Sequence, residues 1–166
     1  PNTLDMYVLG FNSDNQLVTA DSSLKQNLAN YLSQYKMVSD TINVKDGFIV
    51  NIAVDFSLVL RPNYAGNKVL NDCLNATKDY FNINKWQINQ PIFLSDIFTL
   101  LDRIEGVQTV KSVQINNKSG EAAGYSKYSY DVIGATQNGT VFPSQDPCIF
   151  EVKYPDSDIR GSITTF

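Results

Sequence analysis

The stretch GFIVNIAVDFSLVLR, residues 47–61, decides the fold of this chain. Its seven even positions are all large and apolar: Phe48, Val50, Ile52, Val54, Phe56, Leu58 and Leu60. The odd positions are mixed and largely polar, and include Asn51, Asp55 and Arg61. Because successive side chains on a strand point to opposite faces, this alternation predicts a long β-strand with one buried face and one wetter face. A one-residue slip would expose the apolar face, so we expect a firm register.

Apolar residues at helical spacing flank this strand on both sides. A helix ending near Met37 is predicted before it, by apolar residues at positions 24, 28, 31, 32 and 35. Pro62 ends the strand, and a second helix follows up to Phe81. A third helix ends before Gly106 and leads into a strand from Val107, where the broken alternation up to Val110 predicts a bulge.

The single apolar face of the central strand limits the fold class. A doubly wound sheet needs strands that are apolar on both faces, so we predict an α+β fold instead. Residues 1–116 are expected to form a two-layer sandwich, with a mixed sheet and helices mainly on one face. Residues 117–166 are expected to form a β-rich C-terminal appendage, in which Asn138-Gly139 is a hairpin turn. Because the chain does not begin with Met, we expect it to be a fragment of a longer protein.

Composition places the chain among folded domains and excludes two classes of partner. Of its 166 residues, 43% are apolar and 18% are charged. No apolar run approaches the roughly 18 residues that cross a bilayer, so we predict no membrane insertion. The net charge of −4, with 13 scattered Lys and Arg, argues against a nucleic-acid partner.

The sequence offers no recognisable catalytic constellation. It contains no histidine, which removes Ser-His and Cys-His machinery and His metal ligands together. Two cysteines, Cys73 and Cys148, cannot form a zinc site, and both buried free thiols and a disulfide remain open for them. We therefore predict no catalytic residue, no cofactor and no metal. A hydrolase using carboxylates such as Asp72, Asp79 or Asp102 is the less favoured alternative, because these fall on helix faces expected to meet solvent.

Aromatic residues crowd the C-terminal part of the chain. Tyr125, Tyr128, Tyr130 and Phe142 indicate either local packing or a protein interface, where Tyr is enriched. A carbohydrate- or receptor-binding module that uses these tyrosines is a further alternative. Stacking on single-stranded nucleic acid is disfavoured by the acidic balance. Our interface candidates are these four residues together with Asp55 and Arg61 of the wetter strand face.

Three segments resemble a known family. They are PIFLSDI at 91–97, IEGV at 104–107, and the strand carrying Val110, Val113 and Ile115. With the preceding order of helix, long strand and helix, residues 20–116 resemble the baseplate J-like family. Its members are wedge subunits of contractile phage tails and related injection machines.

The resemblance implies a structural, late-expressed virion protein of the tail baseplate, assembled in the host cytoplasm and without enzymatic activity. It implies homodimers and ring assembly with other wedge proteins. The expected role is to couple baseplate rearrangement to sheath contraction and genome ejection.

Overall fold

The computed structural model describes residues 2–165 of the chain. The helices are Ser22–Ser33 (α1), Gly66–Tyr80 (α2), Leu94–Asp102 (α3) and Pro155–Asp158 (α4). The strands are Thr3–Val8 (β1), Gly10–Phe11 (β2), Leu17–Val18 (β3), Thr41–Asp46 (β4), Phe48–Leu60 (β5), Ile92–Phe93 (β6), Val107–Lys118 (β7), Thr136–Gln137 (β8), Thr140–Val141 (β9), Cys148–Glu151 (β10) and Ile159–Thr164 (β11). Over the described residues the protein is mixed α/β, with several small sheets and one mixed four-stranded sheet packed by helices.

The predicted central strand is confirmed as β5, which organises the four-stranded sheet. On one edge it pairs antiparallel with β7. On its other edge β10 pairs parallel with its first half and β11 pairs parallel with its second half. The register against β7 shifts after Ser57 and again after Val59, which confirms the predicted irregularity between Val107 and Val110.

The prediction of a wetter face on β5 is largely wrong. Five even positions from Val50 to Leu58 are buried as expected, but Ile49, Asn51, Ala53 and Val59 on the odd face are buried too. Neighbouring strands flank both edges of β5, and the segment after β7 covers the odd face near Asn51, where the Ser126 amide donates to the Asn51 side chain. Only Asp55 and Ser57 stay half-buried.

Helices α2 and α3 close the main core. Val69 and Cys73 of α2 and Ile97 and Leu101 of α3 are buried in the same cluster as the even face of β5. Gly106 follows α3 with a φ of +96°, a left-handed conformation that glycine adopts without strain. A Cβ there would also lie 2.6 Å from Val69 Cγ2, so both backbone and packing require glycine.

The N-terminal elements stand apart from the central sheet. Strands β1 and β4 form a two-stranded parallel sheet with α1 between them in sequence. Helix α1 ends at Ser33, short of the predicted Met37, and it buries no residue. The apolar stripe expected to join a common core is therefore only partly covered.

The expected division at residue 116 does not separate two hydrogen-bonded units. Strands β10 and β11, from the predicted appendage, pair directly with β5 inside the central sheet. The predicted hairpin turn is confirmed, with Asn138 and Gly139 at φ of 52° and 77° between β8 and β9. This hairpin also pairs with β6, so the C-terminal part is integrated at two places.

Within residues 2–165, no helix is both long and apolar enough to cross a membrane.

Candidate functional site

A buried carboxylate lies where three distant parts of the chain meet. Glu151, on β10, is 2% exposed. Its Oε2 accepts from the Leu17 amide at 2.7 Å, and its Oε1 accepts from Asn51 Nδ2 at 2.8 Å. Asn51 Oδ1 accepts in turn from the Ser126 amide at 2.7 Å. Burial raises the pKa of Glu151, although both hydrogen bonds favour the ionised form.

A second polar pair adjoins this cluster. Asp158, at the end of α4, is buried, and the Tyr125 hydroxyl donates to its two carboxylate oxygens at 2.8 and 2.9 Å. Burial first, and the hydrogen bond to Asp158 second, raise the pKa of Tyr125 to about 12. The tyrosine is therefore a neutral donor at physiological pH, and it anchors the segment after β7.

An open cleft of about 600 Å³ lies beside these groups, and we call it the tyrosine cleft. Phe48 and Tyr128 stack along one side, with ring centroids 4.6 Å apart. Tyr125 and Lys153 line it as well, and the Lys153 ammonium donates to the Gly124 carbonyl oxygen. Its volume lies in the range of small-molecule sites, and its lining mixes aromatic faces with hydroxyl, amide and ammonium groups.

The four predicted aromatic residues do not form one patch. Tyr125 and Tyr128 line the tyrosine cleft, whereas the Tyr130 hydroxyl donates to the Phe142 carbonyl oxygen. Tyr130 also packs against the buried Phe150 ring. The three tyrosines are half-buried and serve local packing, and Phe142 is the one that stays exposed.

The two charged candidates on β5 and after it lie outside the cleft. Asp55 is half-buried and accepts from Asn116 Nδ2 at 3.1 Å. Arg61 is exposed, and its amide donates to the Gly106 carbonyl oxygen. Next to Asp55 the odd face opens to solvent, where the Ser57 and Ser112 hydroxyls lie 2.6 Å apart.

The carboxylates of the hydrolase alternative are not gathered in a cleft. Asp72 pairs with Lys68 at 2.9 Å and Asp79 pairs with Lys85 at 2.7 Å, both on the molecular surface. Asp102 is exposed at the end of α3. In the part of the chain that the structure covers, no three His, Cys, Asp or Glu side chains come together as a metal site.

Both cysteines are free and buried. Burial raises the pKa of the Cys73 thiol to about 11, which leaves it protonated and unreactive at neutral pH. The question left open by the sequence is settled in favour of free thiols.

Sequence reasoning missed Asn51, Glu151 and Asp158. Glu151 lies in an apolar run between Phe150 and Val152, and Asn51 lies in the middle of the longest strand. A polar residue inside an apolar strand signals a buried hydrogen-bonded group when strands flank both edges. The alternation of β5 hid this signal, because it assigned Asn51 to a face expected to meet water.

Comparison of the sequence with protein-family models and with curated proteins finds no match.

Proposed function

We propose that this chain is a structural component of a contractile-tail baseplate, related to the baseplate J-like wedge subunits. Within that family its composition and element order most resemble the C-terminal part of the large wedge subunit of T-even-type phages. The segments that carry the resemblance are α3, Gly106 and the strand β7, which follows antiparallel to β5. We propose no enzymatic activity, no cofactor and a location in the virion tail.

One observation carries this proposal. Seven of the thirteen large hydrophobic side chains that are exposed among the described residues lie before residue 40. Three of them, Leu4, Leu24 and Tyr31, lie on β1 and α1, which like β4 bury no residue. A surface of this kind is typical of a subunit that is covered by a neighbour in an assembly.

The finer architecture that we propose is a two-layer α+β sandwich, with α2 and α3 mainly on one face of the central sheet. The close approach of α2 to β11 supports this layering, since a Cβ at Gly161 would lie 2.8 Å from Leu70 Cδ1. The opposite face carries polar side chains of β5 and β7 and the segment after β7. Such a subunit offers one face and its free strand edges for contacts to other wedge proteins.

Co-expression with the products of the neighbouring genes tests the proposal. The chain is expected to co-purify with tail proteins as particles of fixed stoichiometry, visible by electron microscopy. If the neighbouring genes encode no tail proteins and the chain forms no such particle, the baseplate assignment is overturned.

The tyrosine cleft favours a second candidate function, a carbohydrate- or receptor-binding module. The Phe48–Tyr128 pair offers apolar ring surface, and Tyr125 and Lys153 offer polar contacts beside it. A glycan array tests this function, with Tyr128→Ala as the variant. Binding that Tyr128→Ala abolishes would support the module, whereas silence of the wild-type protein would remove it.

A further inference from the structure

The parallel pair of β1 and β4 is an incomplete sheet. Parallel strands occur almost only in sheets of several strands with both faces covered, and two strands alone are marginal in water. Among residues 2–165 no third strand pairs with β1 or β4. One face of the pair is nonetheless apolar, and further strands could extend it.

The two faces of this small sheet differ in chemistry. Leu4, Met6 and Val8 share one face, aligned with Ile42, Val44 and Asp46 of β4. Helix α1 lies over this apolar face, because Lys25 Nζ lies 3.0 Å from Asp46 Oδ2. The other face is polar, and there Asp5 pairs with Lys45 at 2.8 Å. Leu4, at the β1 side of the apolar face, stays 58% exposed.

The outer edge of β1 presents backbone groups that are free to pair. The Thr41 amide donates to the Asn2 carbonyl oxygen, and the Gly47 amide donates to that of Val8. In a strand, the backbone N–H and C=O groups of alternate residues point to the same neighbouring strand. The backbone groups of the even residues of β1 therefore point to β4. Thr3, Asp5 and Tyr7 therefore direct their N–H and C=O groups outward, at an unprotected sheet edge.

We propose that the outer edge of β1 pairs antiparallel with the same edge of a second copy of this chain. The proposal rests on the proposed function as an assembly component, for which the resemblance implies homodimers, and it names the surface. The two copies form a four-stranded sheet β4–β1–β1–β4 around a two-fold axis, with both α1 helices on the apolar face.

Side-chain chemistry favours a register centred on Met6 for this pairing. With Met6 opposite Met6 of the second copy, Leu4 lies opposite Val8 and Asp5 lies opposite Tyr7. Apolar residues then meet apolar residues, as cross-strand packing requires. Shifting by two residues toward the N-terminus would set Asp5 directly against Asp5, which is destabilising.

The same register also satisfies charge and hydrogen bonding. On the polar face, Asp5 of one copy lies opposite Tyr7 of the other, and Tyr7 is aligned with Lys45 of its own β4. Each row of residues across the four strands therefore contains one Asp5 and one Lys45, from opposite copies. Asp5 and Tyr7 have outward backbone groups, so each of these pairs exchanges two hydrogen bonds across the axis. On the apolar side, Leu24 and Tyr31 of α1 are exposed in the single chain.

A disulfide tests the register directly. Met6 forms a non-hydrogen-bonded pair at the axis, where Cα atoms are about 4.5 Å apart, within the range that a disulfide bridges. Met6→Cys, treated with oxidised glutathione, is expected to give a covalent dimer on a non-reducing gel. Leu4→Cys is the matched control: it is on the same face and more exposed, but its symmetry mate lies about 14 Å away, four residues along the strand. The buried native thiols do not compete.

Sedimentation velocity supplies the second readout. Asp5→Pro removes an outward N–H and the Asp5 carboxylate but leaves the backbone hydrogen bonds to β4 intact, so it is expected to weaken self-association at least about tenfold. Asp5→Ala loses the same carboxylate but keeps the N–H, and it is expected to associate more tightly than the proline variant.

The outcomes separate this inference from the proposed function. If the wild-type chain stays monomeric at every concentration, its self-association and this interface both fail. If it self-associates but Met6→Cys crosslinks no faster than Leu4→Cys, only the β1 interface is overturned. Should Asp5→Pro unfold the chain, the crosslinking comparison still decides.

Discussion

At the scale of single residues, Glu151 links the stability of this fold to pH. Burial raises the pKa of its carboxyl in the folded state above the ordinary value of 4.5. At a pH between the unfolded-state pKa and the folded-state pKa, the folded state therefore binds a proton that the unfolded state releases. Its contribution to stability is therefore full below the unfolded-state pKa and is lost as the pH rises through the folded-state pKa. We expect the free energy of unfolding of wild type, relative to Glu151→Gln, to fall as the pH rises through that interval. Urea unfolding at a series of pH values measures it.

Glu151→Gln is also expected to lower the free energy of unfolding by an amount that does not depend on pH. Its single oxygen accepts from only one of Leu17 N and Asn51 Nδ2, and its amide faces the other donor, so it is expected to lose about 1–3 kcal/mol. Glu121→Gln, at an exposed site, serves as the control and is expected to change little. Parallel stability curves for wild type and Glu151→Gln would contradict the assignment.

The thiols allow a second prediction for single residues. Cys73 and Cys148 are both fully buried, and the raised pKa of Cys73 keeps it protonated. We expect neither thiol to react with a disulfide reagent in the native protein, and both to react in urea. Rapid modification of one thiol without denaturant would show that its surroundings open.

At the scale of elements, the features that local sequence patterns control could be predicted from the sequence. The strand β5, the bulge before Val110 and the Asn138-Gly139 turn follow from side-chain period and turn chemistry. The pairing of β10 and β11 with β5 is a contact between residues about 100 positions apart, and no local pattern encodes it. Asn51 of β5 was misassigned for the same reason, because the segment that covers it comes from after residue 117.

The pairing of β5 with β11 leads to a prediction about packing between these elements. Gly161 is the register partner of Phe56, and a Cβ at Gly161 would overlap the Phe56 ring. Gly161→Ala is expected to destabilise the fold by about 1–3 kcal/mol through overpacking. Urea unfolding measures the loss, and Ser162→Ala, exposed on the same strand, is the control. If the clash is the cause, Gly161→Ala costs less in a Phe56→Leu background; equal costs in both backgrounds would exclude it.

At the scale of the whole molecule, the buried polar cluster and the exposed N-terminal unit have opposite characters. The cluster of Asn51, Glu151, Tyr125 and Asp158 joins β3, β5, β10 and the segment after β7 inside one subunit. The unit of β1, α1 and β4 leaves Leu4, Leu24 and Tyr31 exposed. The sequence indicated interfaces at the aromatic C-terminal part, but three of its four aromatic candidates are half-buried within the molecule. Aromatic composition cannot distinguish a protein interface from packing within the molecule, because ring surface is covered in both.

Arg61 and Asp55 give the last prediction, which concerns a second contact in the proposed assembly. A ring of repeated subunits needs at least one contact besides a two-fold interface, and the solvated part of the β5 odd face is our candidate for it. Arg61 is exposed, so Arg61→Glu is expected to change the free energy of unfolding by no more than about 0.5 kcal/mol. Asp55→Lys also loses the hydrogen bond from Asn116 and is expected to cost about 1 kcal/mol. In co-expressed particles both reversals are expected to reduce incorporation of the chain while leaving the Met6→Cys crosslink intact. Normal incorporation of both variants would show that this face is simply solvated.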